Sequence, residues 1–266
     1  MASYLFILQR DEIGVNLTLY ADRRGLVSAR TTLAWVPIEP ELPAHQVRWL
    51  GRPAPDDPAV ATLLLLHGYG SSEADLIALV PALGLFLPGV SARVVAVRGP
   101  YPAPGRRGHA WFPGPLLAQP PLSDIARTGE LLARVVRRYA ASALVVGFSQ
   151  GMAAAITTMR RHPDVVRGLV GLSGYLYDDA HPGDHQLEVM ATSGHGIPAF
   201  VGYDPRDPRV PAVAVRHAVG FLRTHTALEE HTYPGMGHSI SMPEITDVAQ
   251  FLRRQLAGGG PGPGPR

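Results

Sequence analysis

The chain has 266 residues, 46% of them hydrophobic and 17% charged, which is enough apolar material for one substantial core. It contains no cysteine, which excludes disulfides, thiolate metal sites and cysteine nucleophiles. The formal net charge is +2, and all 24 basic residues are arginines spread along the chain, often in pairs. We expect these arginines to lie on solvated faces, and their dispersal argues against a nucleic-acid partner.

Residues 1–50 predict a β-hairpin extension. Apolar residues alternate with polar ones at positions 15–19, a turn-like DRRG follows at 22–25, and a second β-type run covers 26–36. The hairpin could add an edge to a sheet, cover a site or form an oligomer contact, and plain edge strands are the favoured reading. The N-terminus lacks the basic region and cleavage site of a secretory signal.

Residues 51–257 predict a catalytic domain of the α/β class, entered through a linker at 51–59. Short apolar runs alternate here with helical periodicity. We predict strands at 61–66, 93–98, 143–148, 166–172, 197–203 and 229–233, and helices at 73–83, 123–139, 150–162, 213–225 and 243–256. The strand runs are continuously apolar, which is typical of a mainly parallel sheet with helices on both faces. The Gly/Pro-rich residues 258–266 predict a disordered tail.

The segment GFSQG at residues 147–151 fits G-x-S-x-G and joins a predicted strand to a predicted helix. In such a turn Ser149 would sit at strained backbone angles with its hydroxyl exposed, as a nucleophile requires. The amide of Gln150 would point into the same space. A simple helix N-cap serine is the alternative interpretation.

A serine hydroxyl needs a base and a carboxylate partner. His238 is the favoured base because its segment, YPGMGHSI, is a Gly-rich loop between the last predicted strand and helix. Asp207 is the favoured acid and Asp204 the second candidate, although either could be an Asp-Pro turn former. The order Ser149, Asp207, His238 matches the Ser…Asp…His order of one hydrolase class.

A second oxyanion donor is expected from the segment LLLLHGYG, residues 63–70. The amide of Tyr69 would face the developing oxyanion beside that of Gln150. His67 lies at the strand end, so we expect it to support the turn rather than act as base or ligand.

These segments resemble one known family. Six of them occur in one order between residues 49 and 257: LLLLHGYGSSEADL, RGPYPAPGRRGHAWFPG, VVGFSQGM, GLSGYL, VGYDPRDPRVP and YPGMGHSI. They resemble the carboxylesterase and acyl-protein thioesterase branch of the α/β-hydrolases, also called the phospholipase/carboxylesterase family. The resemblance implies the α/β-hydrolase fold, with Ser149 as nucleophile, Asp207 as acid and His238 as base.

The resemblance also implies features around the nucleophile. Trp111 and Phe112 match the family segment beside the acyl pocket, and the amides of Tyr69 and Gln150 match the oxyanion hole. Met152 departs from the usual second glycine and would narrow the space behind the serine or pack. The family leads us to expect no cofactor, a shallow site and a homodimer.

One further cluster is discounted as a metal site. The segment DDAHPGDHQLE, residues 178–188, brings together His181, Asp184 and His185. Its glycine and proline residues give no fixed geometry, so we expect a solvated surface loop and no metal.

Taken together, these features predict a cytoplasmic serine carboxylesterase without stable membrane insertion. Its substrates would be small-molecule esters of short to medium acyl length, with thioesters and lysophospholipids as further classes. A peptidase or lactone hydrolase on the same fold is the enzymatic alternative. A hydrolase fold that only binds a partner is the non-catalytic one.

Overall fold

The computed structural model describes residues 6–8, 17–21, 27–29, 42–52, 60–87, 89–105 and 107–257. The chain divides into two compact units between Glu41 and Leu42. The sequence predicts this boundary at residue 50, but the strand that ends at Leu50 is hydrogen-bonded into the sheet of the second unit. Most of the predicted linker and all of the predicted tail lie outside the described residues.

The described residues of the first unit form three short strands, β1 (Phe6–Leu8), β2 (Leu17–Ala21) and β3 (Val27–Ala29). They form an antiparallel sheet in the order β1-β2-β3. The pairing of β2 with β3 is the one the hairpin pattern predicts, while its turn lies outside the described residues.

The second unit is built around a central sheet. Its strands are β4 (His45–Leu50), β5 (Ala61–Leu66), β6 (Ala92–Val97), β7 (Tyr101–Pro102), β8 (His109–Ala110), β9 (Ala143–Phe148), β10 (Val166–Leu172), β11 (Pro198–Tyr203) and β12 (Ala227–Thr232). In the described residues, seven strands form one sheet in the order β12-β11-β10-β9-β5-β6-β4. All its neighbouring strands are parallel except β4, which runs antiparallel to β6. The strands β7 and β8 form a separate hairpin.

Helices cover both faces of this sheet. They are α1 (Glu73–Leu76), α2 (Val80–Phe86), α3 (Leu122–Tyr139), α4 (Gln150–Arg161), α5 (Gly183–Thr192), α6 (Ala212–His225) and α7 (Met242–Ala257). The predicted helix at 73–83 is interrupted by a 3₁₀ turn at Ile77–Leu79, because Pro81 has no amide hydrogen to continue the helical pattern. None of the helices in the described part of the chain is both long enough and apolar enough to cross a membrane.

Strand β5 shows why the strand sequences are continuously apolar. Leu64 and Leu66 belong to the core beneath α3, α4 and α6, whereas Leu63 and Leu65 belong to the core beneath α2 and α7. Successive side chains of a strand point to opposite faces, so a strand covered on both sides needs apolar residues at every position. The predicted α/β architecture is confirmed.

The segment 178–188 differs from its prediction. Its second half forms α5, and its acidic side chains bind a buried arginine. Arg160, in the last turn of α4, lies 2.5 Å from Asp179 and also donates to Asp184 at 2.7 Å. The side chains of Arg160 and Asp179 are only 6% and 4% exposed. The expectation of a solvated loop was therefore wrong for Asp179 and for the part that forms α5, although most side chains of the segment are exposed. The expectation that Arg160 lies on a solvated face was also wrong.

Candidate active site

Ser149 lies in the tight turn between β9 and α4. Its backbone angles are φ 54° and ψ −117°, a conformation that costs a non-glycine residue about 1–3 kcal/mol. Its amide donates to the carbonyl of Leu172 at the end of β10, at 2.8 Å. A Cβ on Gly147 would lie 2.3 Å from the carbonyl oxygen of Gly151, and one on Gly151 would lie 2.0 Å from that of Leu66. Both glycines of the motif are thus required by the approach of neighbouring backbone.

The structure brings His238 and Asp207 to this serine. The Nε2 atom of His238 lies 3.0 Å from the Ser149 hydroxyl, and its Nδ1 atom lies 2.7 Å from Asp207 Oδ2. A carboxylate accepts hydrogen bonds, so Nδ1 carries the proton and Nε2 is free to accept from the serine. The ring of Phe148 packs against the imidazole with ring centroids 5.0 Å apart.

The carboxylate of Asp207 is fixed by main-chain amides of its own turn. The second oxygen of Asp207 accepts the amides of Arg209 at 2.7 Å and Val210 at 3.1 Å. Its side chain is only 1% exposed, whereas that of His238 is 10% exposed. This geometry keeps one carboxylate oxygen facing the imidazole.

Asp204, the second candidate for the acid, has different partners. Its oxygens accept the amides of Arg206 at 2.9 Å and Gly237 at 2.7 Å. Hydrogen bonds from these two amides hold the pKa of Asp204 below its usual value. Asp204 therefore reaches the main chain of the histidine loop, and Asp207 reaches the imidazole.

The two predicted oxyanion donors belong to segments next to the serine. Neither the Tyr69 amide nor the Gln150 amide has a hydrogen-bond acceptor within the residues that the structure describes. Gln150 opens α4 directly after Ser149, and a Cβ on Gly68 would lie 3.5 Å from the Ser149 Cβ. The chain before Tyr69 thus runs directly beside the hydroxyl-bearing residue.

Histidine 67 has the supporting role expected from the sequence. His67 is 1% exposed, its Nε2 accepts the amide of Gly99 at 2.9 Å and its Nδ1 donates to the Gly68 carbonyl at 2.7 Å. Burial lowers the pKa of His67, which favours the neutral ring that these two bonds require. The carbonyl of His67 in turn accepts the indole N–H of Trp111 at 2.7 Å.

Comparison with known proteins agrees with this geometry. A family model described as Phospholipase/Carboxylesterase matches residues 53–256. The chain belongs to the phospholipase/carboxylesterase family. Membership makes it a hydrolase whose relatives cleave esters and thioesters.

Individual relatives have low sequence identity to this chain, but their alignments cover most of both chains. A Debaryomyces hansenii protein named acyl-protein thioesterase 1 is 24% identical over 225 residues, covering 73% of this chain and 91% of that protein. A carboxylesterase from Mesorhizobium loti is 22% identical with a TM-score of 0.59, over 79% of this chain and 95% of its own. The acyl-protein thioesterase 2 of Zea mays is 20% identical with a TM-score of 0.61, over 80% and 99%. These structural likenesses show the α/β-hydrolase fold.

The three residues expected to bind substrate are all buried in this hydrolase. Trp111 and Phe112 are 0% exposed and Met152 is 1% exposed. The thioether of Met152 fills the space above two glycines, since Cβ atoms on Gly171 and Gly174 would lie 2.6 and 2.7 Å from its sulfur. The direct substrate contact predicted from the sequence would require these side chains to become exposed, because all three are enclosed by other residues of the protein.

Trp111 instead joins the two oxyanion segments. Its indole binds the carbonyl of His67, and its amide donates to the side chain of Gln150 at 2.8 Å. Its own carbonyl accepts the hydroxyl of Thr128 in α3 at 2.7 Å. The tryptophan thereby links the strand end before Tyr69, the start of α4 and the neighbouring helix.

Sequence reasoning missed a buried tyrosine pair beside Gln150. The hydroxyls of Tyr175 and Tyr177 lie 3.1 Å apart, and the side-chain Nε2 of Gln150 donates to the Tyr177 hydroxyl at 3.5 Å. Burial raises the pKa of both phenols, so they stay protonated. The segment GLSGYLYDD offered no motif that would mark these rings as neighbours of the elbow.

Proposed function

We propose that the chain is a serine carboxylesterase that hydrolyses esters of short to medium acyl length through an acyl-enzyme. The observation that carries this proposal is the continuous hydrogen-bond chain from Ser149 through His238 to Asp207, with separations of 3.0 and 2.7 Å. Hydrogen-bonded nucleophile, base and orienting acid are what this chemistry requires.

In the first half-reaction, the Ser149 oxygen attacks the ester carbonyl carbon while His238 Nε2 takes the hydroxyl proton. The tetrahedral oxyanion is stabilised by the amides of Tyr69 and Gln150. Collapse of this intermediate breaks the bond to the alcohol, and the imidazolium returns the proton to the leaving oxygen. Asp207 stabilises the imidazolium during these steps.

In the second half-reaction, water attacks the acyl-serine. His238 removes a proton from this water and then returns it to the Ser149 oxygen as the acid departs. A thioester follows the same steps with a thiol as the leaving group, and a lysophospholipid with a glycerophosphoryl alcohol as the leaving group, so both are further candidate substrates.

The limit on acyl length is supported by the packing of Met152. Its side chain occupies the space between the elbow and the glycines at 171 and 174. An acyl chain therefore cannot extend behind the nucleophile without displacing a buried thioether.

The test is active-site labelling combined with a chain-length series. A fluorophosphonate should add covalently to Ser149, and Ser149→Ala should lose both labelling and turnover of p-nitrophenyl esters. Ser193→Ala is the matched control, because this exposed hydroxyl donates to the Met190 carbonyl of α5 and otherwise contacts the exposed ring of His195. Turnover should be fastest for short to medium acyl groups.

Three outcomes would contradict the proposal. Unchanged ester turnover in Ser149→Ala would exclude this serine as the nucleophile. Preference for peptides or lactones over all acyl esters would favour the enzymatic alternative. Absence of labelling and turnover in the folded wild-type protein would favour a binding module.

A further inference from the structure

The loop that carries His238 is bound by buried side chains on both sides of the imidazole. The residue before it, Gly237, donates its amide to Asp204 at 2.7 Å, and the residue after it, Ser239, accepts the hydroxyl of Ser173 at 3.2 Å. We propose that Asp204 and Ser173 are positioning residues that set the reach of His238 to the nucleophile. This inference rests on the proposed function.

Asp204 is suited to hold the loop because it follows β11 directly and is 3% exposed. One of its oxygens accepts a hydrogen bond from the Arg206 amide in the same turn, and the other accepts one from the Gly237 amide. A charged acceptor forms stronger and shorter hydrogen bonds to amides than a neutral one. The carboxylate thus anchors the loop to the end of β11, which pairs with strands on both sides.

Ser173 connects the histidine loop to the elbow. It follows β10, is 0% exposed and has a left-handed φ of 47°, which is rare for a serine. Its amide donates to the carbonyl of Gly202 at 2.8 Å, which ties it to β11. A Cβ on the next residue, Gly174, would lie 2.8 Å from the carbonyl oxygen of Ser149. One short segment therefore touches the nucleophile's backbone and donates to the loop of the base.

The loop needs such anchors because its own backbone is permissive. Gly235 and Gly237 have φ values of 87° and 68°, and a Cβ on either would meet nothing within 4 Å. Neither packing nor side-chain bulk at these two positions restricts the loop. A shift of about 1 Å in a catalytic group can cost about 100-fold in rate, so small rotations of this loop would matter.

The experiment compares variants that remove each anchor. We expect Ser173→Ala and Asp204→Asn each to lower kcat for p-nitrophenyl butyrate by about 10-fold to 100-fold while leaving KM nearly unchanged. Ser193→Ala and Asp164→Asn are the matched controls. The hydroxyl of Ser193 donates to a carbonyl of α5, and Asp164 forms an exposed ion pair with Arg137, so both should keep the wild-type kcat.

A second serine variant separates positioning from stability. Glycine adopts a left-handed φ without strain, so Ser173→Gly should fold at least as stably as Ser173→Ala. Both variants lack the hydroxyl and should lose kcat equally. If activity instead follows thermal stability, with Ser173→Gly recovering the wild-type kcat, the positioning role is excluded.

Coupling to the base provides the decisive readout. Serine hydrolases retain measurable activity when their histidine is removed. In a His238→Ala background, Ser173→Ala and Asp204→Asn should have no further effect, because both are proposed to act through the imidazole. A loss that persists in this background would overturn the proposal.

Failure of the proposed function gives a different result. If Ser149→Ala and His238→Ala keep the wild-type turnover, the proposed function fails and the positioning role fails with it. If those two variants are impaired while the anchor variants match wild type, only the positioning role fails.

Discussion

Glu244, in the first turn of α7, is a fully buried carboxyl group without a hydrogen-bond partner in the described residues. It is 0% exposed, and within the described residues neither of its oxygens has a hydrogen-bond partner. Its Oε1 lies 2.3 Å from where a Cβ on Gly202 would be, so the carboxyl lies against the backbone of β11. Burial raises the pKa of Glu244 from 4.5 to about 7. We predict that Glu244→Gln stabilises the protein in alkaline solution.

The size of the effect follows from the two pKa values. The folded protein holds this proton more tightly than the unfolded chain, so the contribution of Glu244 to stability is complete below pH 4.5 and is lost as the pH rises toward about 7. The full loss is about 3 kcal/mol, at about 1.4 kcal/mol per pH unit. A glutamine has no ionised form, so the variant escapes this loss.

Urea unfolding of both proteins at two pH values measures the effect. At about pH 8.5 the free energy of unfolding of Glu244→Gln should exceed that of wild type by about 3 kcal/mol, and near pH 4 the difference should vanish. Glu188→Gln, an exposed position on α5, is the control and should show no such pH dependence. A difference of the same size at both pH values would refute the reasoning, since only ionisation can make it depend on pH.

Two further predictions concern other buried contacts. Arg160→Met should lower the free energy of unfolding by about 3 kcal/mol, because it leaves the buried carboxylate of Asp179 with only the longer ion pair to Arg161, at 3.4 Å; a loss under about 1 kcal/mol in urea unfolding would contradict this. Trp111→Phe removes the indole donor to the His67 carbonyl and should lower kcat for p-nitrophenyl esters about ten-fold by loosening the oxyanion segment. Trp49→Phe, on the antiparallel edge strand β4, is the control, and equal kcat values in the two variants would contradict the second prediction.

The elbow could be predicted because its constraints fall on residue types at short, fixed spacing in the sequence. Glycine is required at 147 and 151 because a Cβ there would lie 2.3 and 2.0 Å from a main-chain carbonyl oxygen. Ser149 lies between them in a strained turn that joins a strand to a helix. Each requirement leaves a residue type at a fixed spacing. The buried strands were predictable for a similar reason, since a sheet covered on both faces demands continuous apolar runs.

Elements with few buried residues left weaker signals. Only Leu50 of β4 is buried, and only Leu187 of α5, so neither element shows the apolar periodicity on which prediction depends. The burial of Arg160 was equally hidden. Its two acidic partners lie 19 and 24 residues further along the chain, and an arginine that ends a helix ordinarily faces solvent.

The two aspartates after β11 show most clearly what could not be predicted from the sequence. Asp204 and Asp207 each precede a proline in one short turn, and residue type alone could not divide their tasks. The different roles depend on the loop that carries His238. Gly237 donates its amide to Asp204, which lies 33 residues earlier in the chain. His238 donates a ring N–H to Asp207, which lies 31 residues earlier. Under the proposed function, one turn then controls both the charge and the position of the base. A change in the spacing between the two aspartates should therefore disturb both contacts and lower kcat for p-nitrophenyl butyrate more than Asp204→Asn alone, and an equal kcat in the two variants would contradict this.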